Sequence, residues 1–247
     1  MEDIKSSFIE GKHAVLEALR AGRVIDKIYF QKELSDAQLS RIRSEAKKKG
    51  VLCVECDKRK LDTMSETKVH QGIIASAAQT SYSSLDDIFR AASEREEKPF
   101  IVICDGIEDP HNLGAIIRSA AASGVHGVII SKHYSVGLNA TVAKAAAGAL
   151  EHMLIVKVAN LTNAIKELQN RGVWVFASAA DGDRTMYEAD LKGSCAIVIG
   201  SEGSGISRLV RQTCDFTVRI PIRTETESLN ASVAAAVLMF EAVRQRQ

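Results

Sequence analysis

Apolar residues along the chain switch between a helical period and short strand-like runs, with polar turns between them. Gly11 to Leu19 reads as a helix, Lys27 to Phe30 as a strand, and Ser35 to Lys49 as a helix capped by Ser35 and ended by Gly50. Val51 to Val54 and Gly72 to Ala78 read as further strands, so residues 1–80 form a small α/β unit. Residues 81–98 are polar apart from Leu85, Ile88 and Phe89, and read as a linker holding a short helix up to Pro99.

Residues 99–247 repeat a longer alternation. Strands are expected at Phe100–Cys104, Val128–Ile130, Leu154–Val158, Val173–Ala177, Ala196–Ile199 and Phe216–Ile220. Helices are expected at Leu113–Ser123, Ala140–Leu150, Leu161–Arg171 and Ile206–Gln212. Strand–helix alternation at this spacing implies an α/β fold with a mostly parallel sheet covered on both faces. Ligands of such sheets bind beyond the carboxyl ends of the strands. The chemistry is therefore sought in the loops after Cys104, Ala177, Ile199 and Ile220.

The 247 residues are 46% hydrophobic, enough for packed cores and too many for a disordered chain. No apolar run approaches the ~18 residues of a membrane span, and the start of the chain has no secretory pattern. Five Cys without an export signal suggest reduced thiols and a cytoplasmic setting. Net charge is +1, but residues 1–80 hold 15 basic against 12 acidic side chains, concentrated in Lys47–Lys49 and Lys58–Lys60. That excess is weak as a nucleic-acid footprint.

The loop after Cys104 runs Asp105-Gly-Ile-Glu-Asp-Pro-His-Asn112 into a helix, with Asn112 as its expected N-cap. Arg118 follows in the helix interior among the small residues Gly114, Ala115, Ala121 and Ala122, leaving its face open to a ligand or another backbone. The loop after Ile199 is Gly200-Ser-Glu-Gly-Ser-Gly205, a Gly-rich turn of the phosphate-cradling kind. It lacks the phosphate-loop lysine, and Glu202 puts a carboxylate in the cradle, which suits a cationic or neutral ligand better. The last helix, capped by Ser228 or Asn230, is apolar or small nearly all round from Ala231 to Phe240. Such a helix needs cover on more than one side, one of which a second copy of the chain would supply. Cys53-Val-Glu-Cys56 has metal spacing but no completing ligands, and no metal is expected.

Taken together, Asp109-Pro-His-Asn-Leu-Gly-Ala-Ile-Ile-Arg118, Ile199-Gly-Ser-Glu-Gly-Ser-Gly205, and Ile220-Pro221 with Ser228-Leu-Asn-Ala-Ser232 resemble the three motifs of the SpoU (TrmH) family. These are RNA ribose 2′-O-methyltransferases that use S-adenosylmethionine. Ile9-Glu-Gly-Lys-His-Ala-Val-Leu16 and His70-Gln-Gly-Ile-Ile74 resemble the substrate-binding domain of the branch that methylates a guanosine in large-subunit ribosomal RNA. The resemblance implies a C-terminal sheet with the SPOUT-type trefoil knot behind a small N-terminal α/β RNA-binding domain; the apolar last helix and the cysteine usage add the expectation of a homodimer in the cytoplasm.

It also implies site residues. Gly200, Ile220 and Leu229 would contact the methyl donor, with close approach at Gly203 and a further contact at Ser178. Arg118 matches the Arg to which the family's activation of the hydroxyl is assigned. Because a guanidinium makes a poor base, it is expected here to bind the phosphate and the developing alkoxide, with Asn112, Glu202 and Asn230 orienting it and the ribose. Ribosomal RNA is the implied substrate. Transfer RNA, or a non-catalytic role in RNA binding or ribosome assembly, are the alternatives. Family members often carry Gly before Ser-Leu-Asn, where this chain reads Arg223-Thr-Glu-Thr-Glu227, and Glu225 and Glu227 would repel RNA phosphates.

Overall fold

The computed structural model describes residues 8–20, 23–34, 36–65, 67–77, 82–223 and 228–247, which fall into two compact units. Ser35, Ala78 and the Thr224–Glu227 stretch, with the expectations placed on them, lie outside the described residues.

The first unit comprises β1 (Phe8–Glu10), α1 (Lys12–Arg20), β2 (Ile25–Gln31), α2 (Ala37–Lys48), β3 (Leu52–Cys56), α3 (Lys58–Met64) and β4 (Ile73–Ala77). Its sheet runs β1-β4-β2-β3, with β2 and β3 parallel and the other pairs antiparallel. Strand alternation divides the apolar residues between two faces. Ile28, Phe30 and Ile73 pack with Val15, Leu19 and Ile42 of α1 and α2, while Tyr29 and Ile74 turn to Leu61 and Met64 of α3. The α2 cap is Asp36, which accepts from the backbone N–H of Gln38 at 2.6 Å and pairs with Lys12. Helix α3 and strand β1 were not expected: α3 is only seven residues long and opens on Lys58-Arg59-Lys60, so its apolar period is too short to read.

The second unit comprises α4 (Leu85–Glu94), β5 (Phe100–Asp105), α5 (Pro110–Ala122), β6 (Gly127–Ser131), α6 (Ala140–Ala146), β7 (Leu154–Val158), α7 (Leu161–Asn170), β8 (Trp174–Ser178), β9 (Arg184–Thr185), β10 (Cys195–Gly200), α8 (Arg208–Thr213), β11 (Phe216–Arg219) and α9 (Ala231–Arg246). The sheet order is β7-β6-β5-β10-β8-β11-β9, and every pair in it is parallel. One face carries α4, α7 and α8 through Ile88, Ile165, Leu168 and Val210, packed on Ile101, Ile103, Val175 and Val198. Helices α5 and α9 pack against each other, with α5 touching β6 and α9 touching β10. The expected α/β class and parallel sheet are therefore present. Helix α4 is capped by Ser84 in a capping box and buries Ile88 in this unit's core.

Two expectations need correction. Helix α5 begins three residues before Leu113: Asp109 is its N-cap, accepting from the His111 N–H at 2.9 Å, and Pro110 occupies the first turn. Asn112 is thus inside the helix, with its side chain free of capping. The helix expected over 140–150 stops at Ala146, because Ala147 (φ 49°) and Gly148 (φ 85°) take left-handed conformations before a single 3₁₀ turn at Ala149–Glu151.

Cys104, at the end of β5, is fully buried, and burial pushes its thiol up to about 12, with help from the neighbouring Asp105 charge. Burial does the same to Cys214, again to about 12, with Asp215 and Asp105 adding to it. Thiolate is the reactive form, so both should resist iodoacetamide at pH 8 in the native protein and alkylate on unfolding in guanidinium. Peptide mass spectrometry reads the outcome, and rapid native modification of either would contradict this packing.

Candidate active site

The C-terminal ends of β5, β8, β10 and β11 lie side by side in the sheet, so the loops leaving them share one edge. After β10 the chain closes a five-residue loop. The Ser201 N–H donates to the Gly205 carbonyl at 3.1 Å, and the Gly205 N–H returns to the Ser201 carbonyl at 3.0 Å. Gly205 sits at φ 65°, and a Cβ on Gly200 would lie 2.2 Å from the Gly205 carbonyl carbon, so only glycine fits at 200. The loop is anchored to β5 by Asp105, whose carboxylate accepts from the Ser207 N–H at 2.7 Å.

Glu202, at the tip of this loop, gathers two distant segments. It accepts from the Asn112 amide at 3.1 Å and from the Asn230 amide, and Asn230 also donates to the Asn112 carbonyl oxygen at 3.0 Å. Asn230 works in both directions. Its carbonyl oxygen caps α9 by accepting from the N–H groups of Ser232 at 3.0 Å and Val233 at 3.3 Å. One side chain thereby starts the last helix and fastens it to the Gly-rich loop.

Beside this junction lies a cavity of about 330 Å³, within the ~300–1,000 Å³ of small-ligand sites. Gly200, Ile220, Leu229 and Ser178 all line it. Its walls combine Ile199, Ile206, Ile220 and Leu229 with the hydroxyls of Ser178, Ser201 and Ser204, and Glu202 stands at one side. Arg211 and Asp181 also line it, 3.0 Å apart, and the guanidinium holds the Asp181 carboxyl below its usual range. Neither carried a sequence signal: Asp181 lies in the turn after β8 and Arg211 within α8.

Gly203 does not line this cavity. It borders a neighbouring one of about 860 Å³, and a Cβ there would meet no protein atom. The two cavities share Ser201, Glu202, Ser204, Gly205 and Ala231. The larger is also lined by Asn112, Glu108 and Tyr134, the last two unforeseen because they sit on aperiodic loops.

Arg118 is exposed on α5, outside the lining of the described cavities, and makes no hydrogen bond or ion pair with another described residue. The open face expected around it is partly occupied. A Cβ on Gly114 would lie 2.4 Å from that of Ala145, so α6 packs there, while Ala121 and Ala122 stay exposed.

Among the described residues no cluster of three or more His, Cys, Asp or Glu could hold a metal, and no helix is long and apolar enough to cross a membrane.

Comparison with known proteins matches residues 99–240 to the SpoU rRNA Methylase family, and residues 8–83 to the RNA 2′-O ribose methyltransferase substrate binding domain. The chain is 44% identical over 244 residues to the 23S rRNA (guanosine-2′-O-)-methyltransferase RlmB of Ralstonia nicotianae, covering 98% of this chain and 97% of that protein. Among solved structures it is similar to the SpoU methyltransferase AviRb of Streptomyces viridochromogenes in complex with AdoMet, with a TM-score of 0.62 and 25% identity over 97% of this chain and 89% of that one. It is also similar to the TrmH/SpoU tRNA modifying enzyme of A. aeolicus, with a TM-score of 0.55 and 28% identity over 66% of this chain and 85% of that one.

The Asn230 cluster makes a separable prediction. Asn230→Ala removes the α9 cap and should cost roughly 0.5–2 kcal/mol in urea unfolding. Asn230→Asp keeps a capping oxygen but faces Glu202 with a second carboxylate, raising the folded-state pKa of the pair. Its deficit should therefore be present at pH 8 and shrink as pH falls towards 5, whereas the alanine deficit should not show that recovery. Equal pH profiles for the two variants would contradict the contact.

Proposed function

The chain belongs to the SpoU rRNA methylase family, and from that premise we propose that it methylates the ribose 2′-hydroxyl of a guanosine in 23S ribosomal RNA, using S-adenosylmethionine. The observation that carries this is the single cavity in which Gly200, Ile220 and Leu229 meet beside Glu202. On this reading residues 1–80 bind RNA and 99–247 catalyse, while the expected linker 81–98 gives α4 to the core of the second unit. The RNA-facing role of the first unit draws support from Lys58-Arg59-Lys60, basic residues at a helix N-terminus, where the backbone disfavours positive charge. The implied trefoil knot is part of the same reading, as is action in the cytoplasm, where ribosomal RNA is found.

The residues present fit the donor. Apolar walls at Ile199, Ile206, Ile220 and Leu229 suit an adenine ring, serine hydroxyls suit its polar groups, and the Glu202 carboxylate suits a positive centre better than a phosphate. S-adenosylmethionine supplies, when bound, a methyl group made electrophilic by a sulfonium. With the donor held there, the 2′-oxygen would take the methyl group as the carbon–sulfur bond breaks to leave a neutral thioether, and the hydroxyl proton would leave through the neighbouring phosphate or water. Arg118, always charged and exposed, binds that phosphate and stabilises the developing alkoxide. Asn112, Glu202 and Asn230 hold the wall against which the ribose sits.

A second copy of the chain covers α9. Val233 and Phe240, 47% and 50% exposed, lie on one stripe of this helix with the half-buried Val237 between them. Sedimentation of the full chain should give a dimer, and a monomer at micromolar concentration would contradict that arrangement.

The activity is tested by incubating the protein with labelled donor and unmodified 23S rRNA or tRNA, then mapping 2′-O-methyl positions. Label at one guanosine of 23S rRNA is expected. Label in tRNA alone would overturn the substrate, and no label in any RNA would overturn the reading. In the same assay Arg118→Ala should lose ~10²–10³-fold in rate with donor affinity unchanged, because Arg118 does not line the donor cavity. A wild-type rate would remove Arg118 from the chemistry.

A further inference from the structure

The larger cavity, of about 860 Å³, opens on the other side of the Ser201–Gly205 wall from the proposed donor site. Most of its carboxylates are engaged in holding the fold. Asp105 accepts from the Ser207 N–H, Asp109 from the His111 N–H, and Glu202 from two amides. Glu108 is exposed and hydrogen-bonds no other described residue. Tyr134 is 81% exposed, equally without a hydrogen bond to another described residue, and held at φ 52°, a left-handed conformation that a bulky aromatic rarely adopts. The Val136 N–H donates to the Ile107 carbonyl at 3.0 Å, so the loop bearing Tyr134 is tied to the residue next to Glu108. An aromatic face and a carboxylate without a structural task thus line one cavity, on loops tied to each other.

We propose that this cavity receives the base of the target nucleotide, turned out of its stack, with Tyr134 stacking on the ring and Glu108 reading guanine. The inference rests on the methyl-transfer reading above. A ribose presented at the shared wall carries its base into the adjoining space, and aromatic stacking is the usual hold on an unstacked base. The carboxylate selects the base by its edge. Glu108 only accepts hydrogen bonds, and guanine alone presents two neighbouring donors, N1–H and the 2-amino group, on its Watson–Crick edge. Adenine and cytosine set one amino donor beside an acceptor nitrogen, and uracil sets one N–H between two carbonyls. Phosphate is repelled by the same carboxylate, so the cavity takes the base and leaves the backbone outside.

The test uses the full chain and 23S transcripts assembled by ligation, with guanosine or inosine at the mapped position. Inosine keeps N1–H and lacks the 2-amino group. Wild type should methylate the guanosine transcript about 10- to 100-fold faster than the inosine one, the scale of one charge-assisted hydrogen bond. Glu108→Gln should slow guanosine methylation and bring the ratio close to one, and Tyr134→Ala should slow both transcripts. Donor affinity, measured by calorimetry with S-adenosylmethionine, should stay within twofold in both variants. Wild-type rates and an unchanged ratio in the variants would overturn the proposal, as would a mapped target other than guanosine. Failure of wild type to label any RNA would instead strike the methyl-transfer reading, and this inference with it.

Discussion

Three side chains from three distant stretches hold this site together: Asn112, Glu202 and Asn230. The sequence separations they span are 90 residues between Asn112 and Glu202, and 118 between Asn112 and Asn230. The parallel sheet makes the meeting affordable, because β5 and β10 are neighbours and deliver their loops to the same edge. The last helix then arrives with Asn230 already fixed as its cap. Loss of any one of these amide–carboxylate contacts would uncouple the Gly-rich loop from α5 or α9. The contacts therefore position the site more than they stabilise the core.

The same wall borders two cavities. On one side lies a mixed apolar and hydroxyl-lined cavity of modest size, suited to a small cofactor. On the other lies a wider space rimmed by Tyr134 and Glu108. Methyl transfer requires its two reactants to meet in line, and a shared wall brings them close without either ligand crossing the other's site. Arg118 stands outside both cavities.

Much of the second unit was legible because parallel strands buried on both faces read as continuous apolar runs, as in Phe100–Cys104 and Ala196–Ile199. The first unit was less so: the three residues of β1 and the single basic turn opening α3 fall below the length at which a period shows. The start of α5 was misplaced because Asn112 is as good a cap as Asp109 on chemistry alone, and only the fold reveals that its amide is committed to Glu202. Gly200, Ile220 and Leu229 were singled out through motif order and line one cavity. Gly203 lines the neighbouring cavity and Gly200 the smaller one, a division that a repeat of glycines does not reveal. Tyr134 and Glu108 had no sequence signal, because a loop residue's partner is set by the tertiary path and not by spacing.

The account stands on one joint pocket for the methyl donor. A crystal structure of the full chain with S-adenosylmethionine tests it most directly. It should place the adenosyl group against Gly200, Ile220 and Leu229, with the sulfonium on the Glu202 side and the Asn112–Glu202–Asn230 contacts intact. Donor bound elsewhere, or a Glu202 turned away from both asparagines, would contradict it.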